Sequence, residues 1–403
     1  MMRISVQCYC IFNPRWDRLP SMKVQAFLLF TLCVLFIVIA PVQSGAWTLF
    51  ALLDSDGTQG ADEETFTVNN EHHIQYLPPL ENKNIFEAII DMSICRHKEV
   101  RKFIYDYRTS GKEFVIRGIK RSHLYMDIID DVFSRYEDIP AELRLLPLLE
   151  SGFSPNAVSR SSAVGLWQFM YRTSQALGIR VDNWIDERRT IHRSTEAALQ
   201  HLRYLYRTFG SWELALAAYN GGARHVQEAI RKTGSRDFWE LMRAGALRKE
   251  TSEYVPRYAA LAVIYMNQDL FELCDEIEPV RTFETELMEF RYPVDIRRVA
   301  HISGTPLKIL RLYNPGIKRN YTPPDSAPYQ LRVPAEAKGT LEENADKLYT
   351  LRFKHVRKYI VRRGDTLSRI ARRYHIPTSN IVLFNDLRNP DRLRCGQVLY
   401  LPI

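Results

Sequence analysis

One glutamate in this sequence stands where a carboxyl group could act as an acid. Glu150 ends the apolar run LLPLL at residues 145–149 and is soon followed by Phe153. Apolar neighbours stabilise a carboxylate less well than water does, so burial here would raise the pKa of Glu150 toward the range that a general acid needs. The local pattern is equally typical of a glutamate at a helix end that is exposed to water. Glu150 is therefore a candidate general acid, and other parts of the sequence must indicate whether it is buried or exposed.

Three ordered segments around Glu150 supply that context. They read PLLESGF…GLWQFM at residues 147–170, AAYNG at 217–221 and ETSEYV at 250–255. In type and order they resemble the motifs of the lytic transglycosylases, and the resemblance runs over most of residues 85–265. Three motifs in the right order are a far stronger signal than any one of them.

This resemblance implies a lysozyme-like helical domain at residues 81–277, with its core at about 134–265. Such a domain would cleave the β-1,4 bond between N-acetylmuramic acid and N-acetylglucosamine in peptidoglycan without net addition of water. The family's single catalytic glutamate falls on Glu150. It would first protonate the glycosidic oxygen and then take the proton of the muramic C6 hydroxyl, which closes a 1,6-anhydro ring.

The resemblance also implies substrate-binding roles for six further residues. The family has hydroxyls near the acid, a glutamine that bonds substrate, a Tyr-Asn pair in the groove and a tyrosine near the glutamate. In this sequence these positions hold Ser159, Ser161, Gln168, Tyr219, Asn220 and Tyr254.

No second acid stands near Glu150 in the sequence, which fits a mechanism with one carboxyl group rather than two. Asp182, Asp186 and Glu187 could still approach it in space. We expect these three acids instead to pair with arginines of the segment 188–193.

The carboxyl-terminal third contains an internal repeat. Residues 296–314 match residues 367–385 at an offset of 71, and each copy ends in a strand-like run before proline. The second copy, residues 357–403, resembles the LysM module, a β-α-α-β unit that binds N-acetylglucosamine-containing glycans. The resemblance gives Gly364, Asp365, Thr366 and Asn385 as candidate glycan-binding residues.

The first copy, residues 278–335, lacks the Gly-Asp-Thr turn and is interpreted as a degenerate LysM-like module, with a charged linker at 336–356. Helical spacing of the apolar residues dominates residues 81–277. The predicted fold class is therefore α+β and mainly α, a lysozyme-like helical catalytic domain followed by small β-α-α-β LysM modules.

The amino terminus has the features of a secretion signal. Fifteen residues, 26–40, are uncharged and apolar, with Lys23 before them and small residues after them. We interpret residues 1–46 as a signal peptide, with Met22 as an alternative start, and residues 47–80 as a flexible lead-in. An uncleaved membrane anchor is the alternative. The expected location is the periplasm or cell envelope.

The net charge and the motif content of the chain limit the classes of binding partner to be expected. The chain carries a formal net charge of +8, and residues 354–403 hold eleven Lys and Arg against three Asp. Secretion together with a sugar-binding module makes peptidoglycan strands, and not nucleic acid, the expected anionic partner. No metal-ligand spacing or nucleotide-binding motif is found, so we expect neither a metal nor a cofactor.

Two other functions remain open at this stage. A hydrolytic muramidase or chitinase on the same scaffold would share Glu150 and differ only in its product. The second alternative is a non-catalytic peptidoglycan-binding protein. Such a protein would not need to keep all the residues of the catalytic motifs, which here are Glu150, Gln168, Tyr219, Asn220 and Tyr254.

Overall fold

The computed structural model describes residues 92–277, 280, 282–324, 328–349, 353 and 355–403. All of them belong to one compact unit, Leu80–Ile403. Up to Met266 the described regular structure is helical, with 3-10 turns at Met92–Arg96 and Ala141–Leu145. Its α-helices are α1 (Lys98–Arg108), α2 (Lys112–Ser122), α3 (Met126–Phe133), α4 (Leu146–Ser151), α5 (Tyr171–Ala176), α6 (Ile191–Phe209), α7 (Trp212–Gly221), α8 (Ala223–Thr233), α9 (Phe238–Arg243) and α10 (Lys249–Met266).

Helix α7 lies at the centre of this helical part, packed against both α6 and α10. Residues 214–218 of α7 are all buried, as a helix surrounded by other helices requires. Helix α6 ends at Gly210, whose φ of 71° is a conformation that glycine adopts without strain. Ser211 then caps α7 by accepting a hydrogen bond from the Leu214 N–H. This turn sets α6 and α7 side by side, so residues from both can reach one site.

The first carboxyl-terminal module is a β-α-α-β unit extended by two helices. It runs through β1 (Thr285–Phe290), α11 (Ile296–Ser303), α12 (Leu307–Tyr313), β2 (Tyr329–Pro334), α13 (Ala335–Glu343) and α14 (Ala345–Leu348). Strands β1 and β2 pair antiparallel, with Thr285 opposite Pro334. Leu341 and Leu348 are buried in the core of this module. Helices thus occupy much of the range expected to be a linker, because their apolar faces complete the core.

The second module repeats the same order in β3 (Val356–Ile360), α15 (Leu367–Tyr374), α16 (Thr378–Phe384) and β4 (Val398–Pro402). Strands β3 and β4 are antiparallel, with Tyr359 opposite Leu399. A mainly helical protein with two small β-α-α-β units confirms the predicted fold class.

An asparagine has the same structural role in both modules. The Asn385 amide donates to the Ile381 and Tyr400 carbonyls, and its carbonyl oxygen accepts from the Tyr400 N–H at 2.7 Å. In the first module Asn314 makes the same bonds to its own helix and to Arg332. Each asparagine therefore joins the end of the second helix to the last strand.

Aromatic side chains fix the second module to the helical part. Trp184, Tyr321, Phe384 and Tyr400 are buried against one another, and we call this cluster the aromatic dock. The Trp184 ring centroid lies 5.1 Å from that of Phe384 and 5.0 Å from that of Tyr400. The Arg319 guanidinium, contributed by the first module, lies over both Trp184 and Tyr400. All three parts of the described chain thus meet at the dock.

The expected signal peptide and lead-in, residues 1–80, lie outside the described residues. Within the part that is described, no helix is long and apolar enough to cross a membrane.

Candidate active site

Glu150 lies in the last turn of α4, with its side chain only partly exposed. Helix α4 packs closely on α2, since a Cβ added at Gly118 would lie 2.3 Å from Leu148 Cδ1. Two residues after Glu150, Gly152 ends the helix with a φ of 56°. The fully buried Phe153 follows and holds the chain inside the domain. The apolar run before Glu150 is therefore packed in the core, as the acid interpretation requires.

The surroundings of Glu150 favour its neutral form. The pKa of Glu150 is raised to about 7, chiefly by burial and in smaller part by the nearby Glu250 carboxylate. One interaction opposes this: the Tyr254 hydroxyl donates a hydrogen bond to Glu150 Oε1 and lowers the pKa. Because burial is the largest cause, the balance leaves a carboxyl group that both gives and takes a proton near neutral pH.

Tyr254 remains a hydrogen-bond donor at neutral pH. Its ring is buried in α10, and burial together with the Glu150 charge raises its pKa well above the usual range. Its hydroxyl therefore keeps its proton and stabilises the negative charge of the Glu150 carboxylate.

The loop at residues 157–169 closes one side of the site. Ser151 fastens it to α4, because its hydroxyl donates to the Leu166 carbonyl at 2.9 Å. The buried Trp167 indole donates to Thr195 on α6 at 3.0 Å. Gly165 has a φ of 90°, and a Cβ there would lie 1.9 Å from the Arg188 carbonyl oxygen. Only glycine fits this close contact between two backbone segments.

The structure brings Tyr219, Tyr254 and Glu150 together. The Tyr219 hydroxyl donates to the Trp167 carbonyl at 2.8 Å, and burial and the Glu150 charge both raise its pKa. Gln168 is adjacent on the loop, and its amide donates to the Gly165 carbonyl at 2.8 Å. Of the predicted residues, Tyr219 and Tyr254 therefore lie beside Glu150, and Gln168 follows the Trp167 carbonyl that Tyr219 bonds.

The Asn220 side chain is oriented by hydrogen bonds to residues of α10, and not by a bond to Glu150. Its amide donates to Glu250 Oε1 at 3.4 Å, and its carbonyl oxygen accepts from the Thr251 hydroxyl at 3.1 Å. Neither Glu250 nor Thr251 was predicted as a site residue. Glu250 and Tyr254 stand four residues apart and so share one face of a helix, a spacing that the sequence did contain.

Ser159 and Ser161 lie on the exposed part of the loop. The Ser159 hydroxyl accepts from the Ala163 N–H at 3.0 Å and so closes the turn there. Among the described hydrogen bonds, neither serine joins Glu150.

The other acids of this region are held by arginines. Asp186 pairs with Arg188 at 2.8 Å, and Glu187 lies 3.9 Å from Arg193. Asp182 pairs with Arg180, at 2.5 Å, instead of with the arginines expected for it. Their charges are thus matched locally. Among the described residues, no group of three or more His, Cys, Asp or Glu could hold a metal ion.

In the second module the candidate glycan-binding residues shape the turn before α15. Gly364 has a φ of 84°, the Asp365 carboxylate accepts from the Tyr359 hydroxyl at 2.7 Å, and Thr366 caps α15. Asn385 is committed to the bonds between α16 and β4 described above. Of the candidate glycan-binding residues, those in the turn at 364–366 are therefore the ones accessible to a ligand. The Asn385 side chain is instead occupied by its hydrogen bonds within the module.

Three protein-family models match the chain. The Transglycosylase SLT domain covers residues 127–242, the LysM-like domain of lytic transglycosylase MltD covers 284–350, and the LysM domain covers 359–402. The second of these matches continues through α13 and α14, in agreement with their burial in the first module.

Two curated relatives are similar to longer stretches of the chain or to the same region. The chain is 33% identical over 280 residues to membrane-bound lytic murein transglycosylase D of Escherichia coli (strain K12), covering 65% of this chain and 60% of that protein. It is 32% identical over 120 residues to membrane-bound lytic murein transglycosylase C of Edwardsiella ictaluri (strain 93-146), covering 27% of this chain and 33% of that one. The chain thus spans about 60% of the length of the first relative.

Among solved structures, the crystal structure of the 70 kDa soluble lytic transglycosylase of Escherichia coli is similar at 23% identity. The likeness covers 38% of this chain and 26% of that one, with a TM-score of 0.30. The SLT match confirms the expected lysozyme-like helical domain. By its family matches, the chain is built from a Transglycosylase SLT domain, an MltD-type LysM-like domain and a LysM domain.

Proposed function

We propose that this chain is a lytic transglycosylase that cleaves the β-1,4 bond between N-acetylmuramic acid and N-acetylglucosamine in peptidoglycan. The observation that carries the proposal is Glu150, a carboxyl group in an apolar setting with a pKa of about 7 and a tyrosine donor at its oxygen. An acid of this kind can serve in both halves of such a reaction.

The two proton transfers follow from this setting. Neutral Glu150 gives its proton to the glycosidic oxygen as the bond from that oxygen to muramic C1 breaks. The resulting carboxylate, which accepts the Tyr254 hydrogen bond, then removes the proton of the C6 hydroxyl. The C6 oxygen forms the new bond to C1, so the 1,6-anhydro ring closes and Glu150 ends protonated as it began.

The residues near Glu150 would hold the sugar in place for these steps. We propose Gln168, Tyr219 and Asn220 as substrate-binding residues, because Tyr219 lies beside the acid, Gln168 follows the Trp167 carbonyl that Tyr219 bonds, and Asn220 follows Tyr219 on α7. Ser159 and Ser161 are proposed to meet the substrate at the exposed rim of the loop. The existing bonds of Tyr219 and Asn220 fix their orientation before substrate arrives.

Isotope labelling of the product tests the reaction class. Purified peptidoglycan sacculi are digested in water enriched in oxygen-18, and the released fragments are analysed by mass spectrometry, with a hydrolytic lysozyme as the control. We expect 1,6-anhydromuramic ends without oxygen-18, since no water is added. Reducing muramic ends that carry one labelled oxygen would assign the protein to the hydrolases instead.

We further propose that the chain works in the cell envelope and holds its polymer through the LysM domain. The turn at residues 364–366 is the proposed contact, and Asn385 supports it through the module's backbone. The excess of arginine and lysine in residues 354–403 favours a polymer with anionic groups, an attraction that added salt weakens. Any membrane attachment would be through the amino-terminal segment.

The pH dependence of the rate follows from the two groups that act on Glu150 in opposite directions. The first proton transfer needs neutral Glu150, so the rate should fall as the pH rises through about 7. Tyr254→Phe removes an interaction that lowers the pKa, so the descending limb should move to higher pH. Glu250→Gln removes a charge that raises the pKa, so the limb should move to lower pH.

Tyr258→Phe is the matched control for Tyr254→Phe. Tyr258 is a buried tyrosine of the same helix, and its hydroxyl donates to the Glu142 carbonyl rather than to Glu150. Rate profiles between pH 5 and 9 are compared for the three variants and the parent. Limbs of Tyr254→Phe and Glu250→Gln that move in the same direction would contradict this account of the site.

A further inference from the structure

Four aromatic rings form a continuous series from the active site to the protein surface. Phe169 and Tyr219 have ring centroids 6.4 Å apart, Tyr219 and His201 5.6 Å, and His201 and Tyr204 6.4 Å. We call these four residues the aromatic row. The last pair is almost parallel, with an angle of 14° between the ring planes.

Tyr219, in the inner half of the aromatic row, lies close to Glu150. The Tyr219 hydroxyl is bonded to the loop at Trp167, and the Glu150 charge raises the pKa of Tyr219. The outer end is open, because Tyr204 is 61% exposed, the highest value among the exposed large apolar and aromatic residues of the described chain. The row therefore links the reacting centre to water.

Tyr204 and His201 are not among the buried core residues of α6. Leu199, Leu202 and Leu205 are buried on this helix, whereas His201 is half-buried and Tyr204, three residues further along, is exposed. In the described hydrogen bonds, neither the His201 imidazole nor the Tyr204 hydroxyl takes part. The imidazole nitrogens reach solvent, since the only buried and unbonded side-chain nitrogen or oxygen recorded among the described residues is Arg203 Nε.

An exposed ring beside a solvent-reaching imidazole suits one class of ligand. A pyranose ring has an apolar face of C–H groups, which packs on an aromatic face, and equatorial hydroxyl and acetamido groups at its edge, which bond to nitrogen and oxygen. Burial lowers the pKa of His201, so the imidazole is neutral near pH 7 and offers one donor and one acceptor. The same chemistry repeats along every sugar of a glycan strand.

We propose that Tyr204 and His201 form an outer glycan subsite, which binds a sugar ring of the same strand that Glu150 cleaves. This inference rests on the proposed function, since it takes its ligand from the polymer that the active site would cut. Continuity of the rings from Tyr219 to Tyr204 is what assigns the subsite to that strand rather than to a separate ligand. Its contribution is to the affinity for long strands.

Kinetics on uncross-linked glycan strands test the subsite. Tyr204→Ala in the full chain should raise KM about fivefold, the size expected for one aromatic contact, with most of the loss in KM rather than in kcat. Tyr204→Trp keeps a stacking surface and should restore KM to within about twofold of the parent. Tyr105→Ala is the matched control, because Tyr105 is a 43% exposed tyrosine of α1 outside the aromatic row.

The outcomes separate the subsite from the reaction class. Strand breaks are counted as new ends of either kind, so KM reports on binding whether the ends are anhydro or reducing. An unchanged KM in Tyr204→Ala, or an equal rise in Tyr105→Ala, would overturn the subsite and leave the proposed reaction standing. Labelled reducing ends from the parent protein would overturn the reaction and leave the KM comparison intact. Thermal melting confirms that each variant is folded.

Discussion

Replacing Glu150 with glutamine is expected to lower the rate of strand cleavage by about a thousandfold or more. Glutamine keeps the size and the planar head of glutamate but has no proton to give and cannot act as a base at neutral pH. A positioned acid or base contributes about 10²- to 10⁴-fold to a rate, and Glu150 is proposed to serve as both. The loss should fall in kcat, since the substituted side chain still fills the same place.

The release of anhydromuramic ends from sacculi measures this loss, and Glu250→Gln is the control. Both changes remove one carboxylate from the same region, but Glu250 is exposed and acts on Glu150 through its charge. The side-chain oxygen of a glutamine at this position could still accept the Asn220 hydrogen bond that Glu250 accepts. The loss of this charge should therefore leave most of the rate at the pH optimum. Melting temperatures for the two variants close to that of the parent would show that the fold is kept. A Glu150→Gln protein that digests sacculi as fast as the parent would mean that another residue is the acid.

The second large effect is a loss of stability, which we expect when a methyl group is added at Gly165. Gly165→Ala should lower the free energy of unfolding by about 3 kcal/mol or more, because two costs act together. The φ of 90° is strained for alanine, and the new Cβ would lie 1.9 Å from the Arg188 carbonyl oxygen. Either the loop or the segment around Arg188 must move. Because Gln168 and Trp167 lie on this loop, cleavage should fall as well.

Gly178→Ala separates the two costs. Gly178 also has a positive φ, 70°, but a Cβ there would meet nothing within 4 Å. Only the backbone strain of about 1 kcal/mol should remain at this position. Thermal melting of both variants gives the comparison. Equal losses would mean that the contact with Arg188 relaxes at no cost, against the close packing inferred for the loop.

The sequence predicted the parts of this protein that depend on local pattern. The three-to-four-residue spacing of leucines in α6 is visible in the sequence, and the offset of 71 residues between the repeats predicted two similar modules. The candidate acid could also be predicted, because an apolar run before Glu150 places it at the edge of a core. In each case the residues that decide the structure are close together in the chain.

Contacts between distant segments could not be predicted in this way. Glu250 acts on Glu150 across one hundred residues of sequence, only because α10 packs beside α4. Residues 336–356 are rich in charge and are predicted from the sequence to be a linker, yet Leu341 and Leu348 pack in a core supplied by β1, β2 and α11. Asn385 is a candidate glycan-binding residue in the sequence, but in the folded module its side chain is hydrogen-bonded to the Tyr400 backbone.

The aromatic dock fixes the distance between the second module and Glu150. A binding module on a flexible linker would let the active site reach any bond within the linker's span, and the cuts would be scattered. Here Trp184 sits on Phe384 and Tyr400, and Arg319 bridges two of the rings, so the distance from module to acid is set by packed side chains. If the module grips one sugar of a strand, the cleaved bond would lie a constant number of disaccharides away, and the fragments would share a common size.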